Sequence, residues 1–117
     1  SIDWQPTVVF NPPPQKADNE FIEQGHALYQ DICLGCHGLN AVSGLLVPDL
    51  RGSAYLWDEK GWDEVVRGGK LRSKGMASFA DNISWEGTQA VRAYVIQQSH
   101  RGLGLQQAAA NRSATTQ

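Results

Sequence analysis

Cys33-Leu34-Gly35-Cys36-His37 is the stretch that decides how this chain folds. Two thiols separated by two residues and followed at once by an imidazole form the attachment signature of a c-type haem. Each position has a chemical job. The thiols add across the two vinyl groups of the macrocycle and fix it covalently. The two-residue spacer, on a helical turn, sets the sulfurs at the separation those vinyls need. His37 then has its ring beneath the iron as the proximal ligand. Other readings of C-x-x-C fit less well. A thioredoxin-like redox pair opens a helix inside a βαβ pattern, and the sequence has no such pattern. A zinc site needs a second Cys or Cys/His pair at ligand spacing, and Cys33 and Cys36 are the only cysteines. A disulfide closing so short a loop constrains the unfolded chain only weakly.

Size and composition agree with one small domain built around a buried group. The chain has 117 residues, enough for one domain and too few for two. A protein core of that size is marginal alone, and a haem supplies a flat apolar body for a helical shell to enclose. Apolar residues make up 41% and charged residues 19%, and the net charge of −2 gives no reason to expect nucleic acid or an anionic membrane as partner. No apolar run approaches bilayer length, so membrane insertion is not expected. No secretory leader is visible. Haem c is attached outside the cytoplasm in bacteria, so a periplasmic location, with the leader already removed, is the expectation.

Outward from the motif, the chain divides into three parts. Residues 1–17 carry four of the five prolines, including Pro12-Pro13-Pro14. They read either as a semi-rigid Pro-rich linker from something upstream or as an arm wrapping this domain, with Trp4 and Phe10 as anchors. Residues 18–102 read as an all-α domain. Asp18 caps a first helix, on which Phe21, Ile22, Gly25, Leu28, Tyr29 and Ile32 define an inward face and which the haem motif closes. Residues 38–56 read as loop. A short helix follows, from Trp57 or Gly61 to Arg67, stopping at Gly68-Gly69. Ser84 caps a longer helix to about Ser99, with Gly102 just past its end. The first and last helices are expected to cross near Gly25 and Tyr94. Residues 103–117, rich in Ala, Gln, Ser and Thr without hydrophobic period, read as a flexible tail.

The sixth iron position calls for a second axial donor. Met76, the one methionine, lies in a loop between the proximal His and the last helix. A thioether there raises the haem potential and suits an iron that changes by one electron. A lone Met can equally fill a gap in a core. His26 and His100 are the competing donors, one on the helix before the Cys pair and one at a helix end.

Taken together, these residues resemble the class I cytochrome c domain over residues 18–102. The resemblance is strongest to the C-terminal haem domain of PQQ-dependent quinohaemoprotein alcohol dehydrogenases. It is carried by Cys33–Leu39 (CLGCHGL), Val47-Pro48-Asp49-Leu50-Arg51, Trp62–Gly68 (WDEVVRG), Gly75–Ala80 (GMASFA) and Arg92-Ala93-Tyr94-Val95-Ile96. Two positions depart from the pattern: Ala77, where many relatives have Pro after the ligand Met, and Val47, where many have Gly. The resemblance implies a fold in which N- and C-terminal helices cross and loops wrap one covalently bound haem.

It also implies roles. Pro48 would offer its carbonyl to the ring N–H of His37. Arg51 would pair with a haem propionate, and Tyr55 and Trp57 would donate to the propionates from the same side. Trp62 and Val66 would wall the haem pocket, and Phe79 would cover the Met76 side. Each of these residues also has a plain packing or surface reading.

Charge is locally uneven. Asp58, Glu59, Asp63 and Glu64 form an acidic patch, and Arg67, Lys70, Arg72 and Lys74 place four basic residues in eight just ahead of Met76. Such runs are mostly solvated faces, but this one would lie near the haem edge and could steer a redox partner. The expected function is single-electron transfer by a His/Met-ligated haem c without a catalytic site of its own. The donor would be a PQQ-dependent dehydrogenase domain or protein, and the acceptor another redox protein or oxidase. PQQ itself would sit only on the partner. A free-standing periplasmic shuttle is the alternative. A gas-sensing or peroxidatic haem protein would need an open sixth site.

Overall fold

The computed structural model describes residues 9–33, 50–68 and 82–115, with the backbone alone for Ile32, Cys33 and residues 114–115. The readings that fall on Trp4, Cys36, His37, Pro48, Met76 and Phe79, and on Lys70, Arg72 and Lys74, lie outside the described residues.

Among the described residues the fold is helical without strands. Helix α1 spans Asn19–Leu28. Asp18 starts it as expected, its carboxylate accepting from the Phe21 N–H at 2.9 Å, with Glu20 in the first turn at the positive end of the helix. Ile22, Gly25 and Tyr29 are buried, and Phe21 and Leu28 pack beside them. The helix then widens into a π-type turn over Tyr29–Cys33, so the first cysteine stands at the end of a rigid element.

Helix α2 spans Glu59–Val66. Asp58 caps it by accepting from the Gly61 N–H at 2.9 Å. Before it, two short 3-10 turns, Leu50–Gly52 and Ala54–Trp57, occupy the end of what reads from sequence as plain loop. Ser53 organises the second turn, its hydroxyl accepting from the Tyr55 N–H at 3.1 Å.

Helix α3 spans Trp85–Thr115. Ser84 starts it, its hydroxyl accepting from the Gly87 N–H at 3.0 Å and its carbonyl from the Thr88 N–H at 2.9 Å. α1 lies across it where expected. A Cβ on Gly25 would overlap the Ala90 carbonyl, so the two backbones touch there and only glycine fits. One turn on, His26 stacks on Tyr94 with ring centroids 4.6 Å apart and planes 5° from parallel, and Tyr29 leans on the same ring at 5.3 Å. Val91, Val95, Ile96, Leu56 and Trp62 complete the core around this crossing.

The end of α3 corrects the sequence reading. The helix does not stop near Ser99 with Gly102 beyond it. It continues through residues 103–113, which stand mostly exposed. Propagating a helix already nucleated on a packed face costs little, and Leu, Gln, Ala and Arg all favour it. Gly102 lies inside the helix for a different reason: a Cβ there would come within 2.5 Å of the Phe10 ring.

Residues 9–17 run in extended form against the domain. Asn11, Pro13 and Gln15 are tied to it by hydrogen bonds, and Phe10 rests on α3. Phe10 is thus one of the two expected anchors, and Trp4 lies outside the described residues.

Candidate haem-binding site

The described residues that the resemblance implies for the site lie on segment 50–57 (Arg51, Tyr55 and Trp57) and on α2 (Trp62 and Val66). Two long-range hydrogen bonds fix segment 50–57 to α3, and a third fixes α2 to it. Ser99, fully buried, donates from Oγ to the Arg51 carbonyl at 2.6 Å. Arg92 donates from Nε to the Leu56 carbonyl at 2.9 Å. Trp62, on α2, donates from Nε1 to the Thr88 carbonyl at 2.8 Å. Burial pulls the Arg92 pKa down, opposed by the nearby charges of Glu59 and Asp58. Burial pushes the Tyr94 hydroxyl up, opposed by Arg101 and reinforced by Glu23.

The expected site residues fall into three groups. Trp62 and Val66 are buried in the core, as a wall residue must be. Arg51 and Tyr55 are half-buried on segment 50–57. The Arg51 guanidinium lies over the Phe10 ring, 4.7 Å from its centroid. Trp57 is held by the Pro-rich arm. It is 55% exposed, and its Nε1–H donates to the Asn11 carbonyl at 2.7 Å. The Pro-rich arm competes for that donor.

The two histidines that compete with Met76 are both engaged elsewhere. His26 is stacked on Tyr94. His100 Nε2 lies 2.7 Å from the Pro13 carbonyl, and since a carbonyl only accepts, that nitrogen carries the proton. Among the described residues no group of three or more His, Cys, Asp or Glu converges to hold a metal. The donor set of the chain nevertheless fits a c-type haem. In sequence it supplies two thiols two residues apart, an imidazole directly after them, and a single thioether further along that would serve as a second donor.

The acidic patch is partly spent on structure. Asp58 caps α2, and Asp63 takes Arg67 Nε at 2.8 Å and the Thr88 hydroxyl at 3.1 Å. Arg67 is therefore paired with Asp63, one turn earlier. Ser99, Thr88 and Arg92 carry the tertiary links of the site, and sequence reading missed all three roles. Their partners lie 25 to 48 residues away, so no local pattern announces them.

A helical fold with crossing terminal helices and a C-x-x-C-H motif at the exit of the first defines a cytochrome c domain. The chain belongs to the family described as cytochrome c oxidase, cbb3-type, subunit III, whose model matches residues 20–95. Among curated relatives it is similar to quinohaemoprotein alcohol dehydrogenase ADH IIB of Pseudomonas putida, at 35% identity over 89 residues covering 76% of this chain and 13% of the relative. It is similar to ADH-IIG of the same organism, at 38% over 91 residues, again 76% of this chain and 12% of the relative. Cytochrome c550 of Pseudomonas aeruginosa is 36% identical over 96 residues, 80% of this chain and 66% of that protein. The solved structure of ADHIIG from P. putida HK5 superposes with a TM-score of 0.72 at 33% identity, over 85% of this chain and 14% of that one. The chain thus spans about an eighth of the length of the dehydrogenases it matches.

Proposed function

We propose that the chain transfers single electrons through one covalently attached haem c with His37 and Met76 as axial ligands. Its donor is a PQQ-dependent alcohol dehydrogenase domain or protein, and it passes electrons to a further redox protein or oxidase in the bacterial periplasm. The observation that supports this best is the position of Cys33. The backbone of Cys33, first residue of C-x-x-C-H, ends the turn that follows the helix Gly25 packs against α3, and the domain so formed matches haem domains of quinohaemoproteins. The domain proper corresponds to residues 18–102, with 1–17 as linker or arm.

Haem c, when bound, would supply a one-electron iron couple. The chain's own residues do the rest. Cys33 and Cys36 hold the group by two thioether links. His37 and Met76 offer a nitrogen and a sulfur lone pair. The Pro48 carbonyl accepts from the His37 ring N–H and fixes its orientation. Arg51 and Tyr55 hydrogen-bond the propionates, and Trp62, Val66 and Phe79 exclude water. With His37 and Met76 both donating, the group would serve electron transfer rather than substrate binding. Among the described residues no helix is long and apolar enough to cross a membrane.

A redox titration of the holoprotein followed by visible spectroscopy tests this. The reading expects one reversible one-electron wave, a ferrous form that does not take up carbon monoxide, and a Met76→Ala variant that does. Carbon monoxide binding by the unaltered protein would favour the gas-sensing alternative.

A further inference from the structure

The Pro-rich arm meets the domain at points that matter for the site. Phe10 lies between two of them. On one side its ring fills a notch in α3 that exists because residue 102 is glycine: a Cβ there would sit 2.5 Å from the ring's Cζ and 2.7 Å from Cε1. On the other side the Arg51 guanidinium covers the ring at 4.7 Å. A glycine inside a helix costs stability relative to alanine, so its presence at 102, facing one aromatic ring, points to a packing purpose. Three further bonds pin the arm beside it: Trp57 Nε1 to the Asn11 carbonyl at 2.7 Å, His100 Nε2 to the Pro13 carbonyl at 2.7 Å, and Gln15 Nε2 to the Ala93 carbonyl at 2.8 Å. The arm therefore grips segment 50–57 and α3 at once. The Arg51 carbonyl is independently held by Ser99, so the backbone is fixed from one element and the side chain from another.

We infer that Phe10 and Gly102 are positioning residues for Arg51: the arm is a clasp whose pin, Phe10 in the Gly102 notch, holds the guanidinium where it tunes the haem. This rests on the proposed role of Arg51 at a haem propionate. A positive charge held near the haem favours the reduced form, in which the iron site carries one positive charge fewer. Release of the clasp lets that charge move into solvent.

Two measurements on the holoprotein test the inference. The first is a stability cycle in urea. Gly102→Ala in the unaltered chain expels the pin and raises the unfolding constant by about tenfold. In a Phe10→Ala background the same substitution meets no ring and lowers the unfolding constant by about fivefold, the ordinary gain of alanine over glycine in a helix. A stabilising Gly102→Ala in both backgrounds overturns the clasp.

The second is the midpoint potential of Phe10→Ala, Arg51→Gln and the double variant. Both single changes should lower it, and the double variant should sit with Arg51→Gln and no lower. A shift in Arg51→Gln with none in Phe10→Ala overturns the positioning role while leaving Arg51 at the haem. No shift in either places Arg51 away from the haem and removes the site reading on which the inference stands.

Discussion

Gly25 and Ala90 meet backbone to backbone: a Cβ at residue 25 would occupy the space of the Ala90 carbonyl. This contact sets how closely α1 approaches α3, and α1 leads directly into the π-type turn that ends at Cys33. Gly25→Ala would gain about 1 kcal/mol of helix propensity in isolation. Against that, the clash is with backbone inside a helix, which cannot rotate aside, and overpacking of this kind costs about 1–3 kcal/mol or more. The expected result is net destabilisation of about 2 kcal/mol, read from urea unfolding of the holoprotein. Unchanged or raised stability would show that the helices separate freely at this crossing.

Trp62 joins α2 to α3 through its bond to the Thr88 carbonyl, and it is only 3% exposed. Trp62→Phe keeps an aromatic ring but removes the donor and part of the volume. The loss should be about 1–3 kcal/mol, measured by chemical denaturation. Trp57→Phe, also missing an indole donor, should cost less than 1 kcal/mol or so because water can reach the freed Asn11 carbonyl.

Tyr94 gives the fold an alkaline limit. Burial raises its pKa from the usual 10.0, so the folded state keeps its phenolic proton at a pH where the unfolded state has released it. Its contribution is fully present below pH 10.0 and is lost as pH rises from there through the folded value. In urea titrations at rising pH, the unaltered chain should lose stability above 10.0 more steeply than Tyr94→Phe. Parallel profiles for the two proteins would contradict this.

The basic run bears on partner encounter. Arg67 is paired with Asp63 and should be left in place. Replacing Lys70, Arg72 and Lys74 with neutral residues should slow association with a reduced dehydrogenase by about tenfold at low salt and flatten the salt dependence. Stopped-flow electron-transfer rates across ionic strength make the comparison. Identical slopes would mean that the run is an ordinary solvated face.

What could be read in the sequence was what local chemistry specifies. Asp18 and Ser84, read from sequence as caps, bind free helix N–H groups and begin α1 and α3; Asp58, read there only as part of an acidic patch, does the same for α2. Asp58 defines the start of α2 more sharply than the periodicity did. The crossing at Gly25 and Tyr94 followed from helical spacing alone. The errors came where tertiary context decides. Gly102 is a natural helix terminator until a ring from the arm fills the space its missing Cβ leaves. The exposed continuation of α3 has no hydrophobic period because it buries little, so the pattern that signals a helix was missing. The bond from Trp57 to the Asn11 carbonyl spans 46 residues, so no local pattern announces it.

The central claim is covalent attachment of one haem through Cys33 and Cys36, and intact mass under denaturing conditions tests it most directly. The chain is produced in a bacterial periplasm with haem-c maturation, denatured, and weighed. The account predicts the 12.8 kDa chain plus one haem, with Cys33→Ser/Cys36→Ser releasing the group entirely. A bare chain from the unaltered protein, with its haem lost to the denaturant or never acquired, would contradict it.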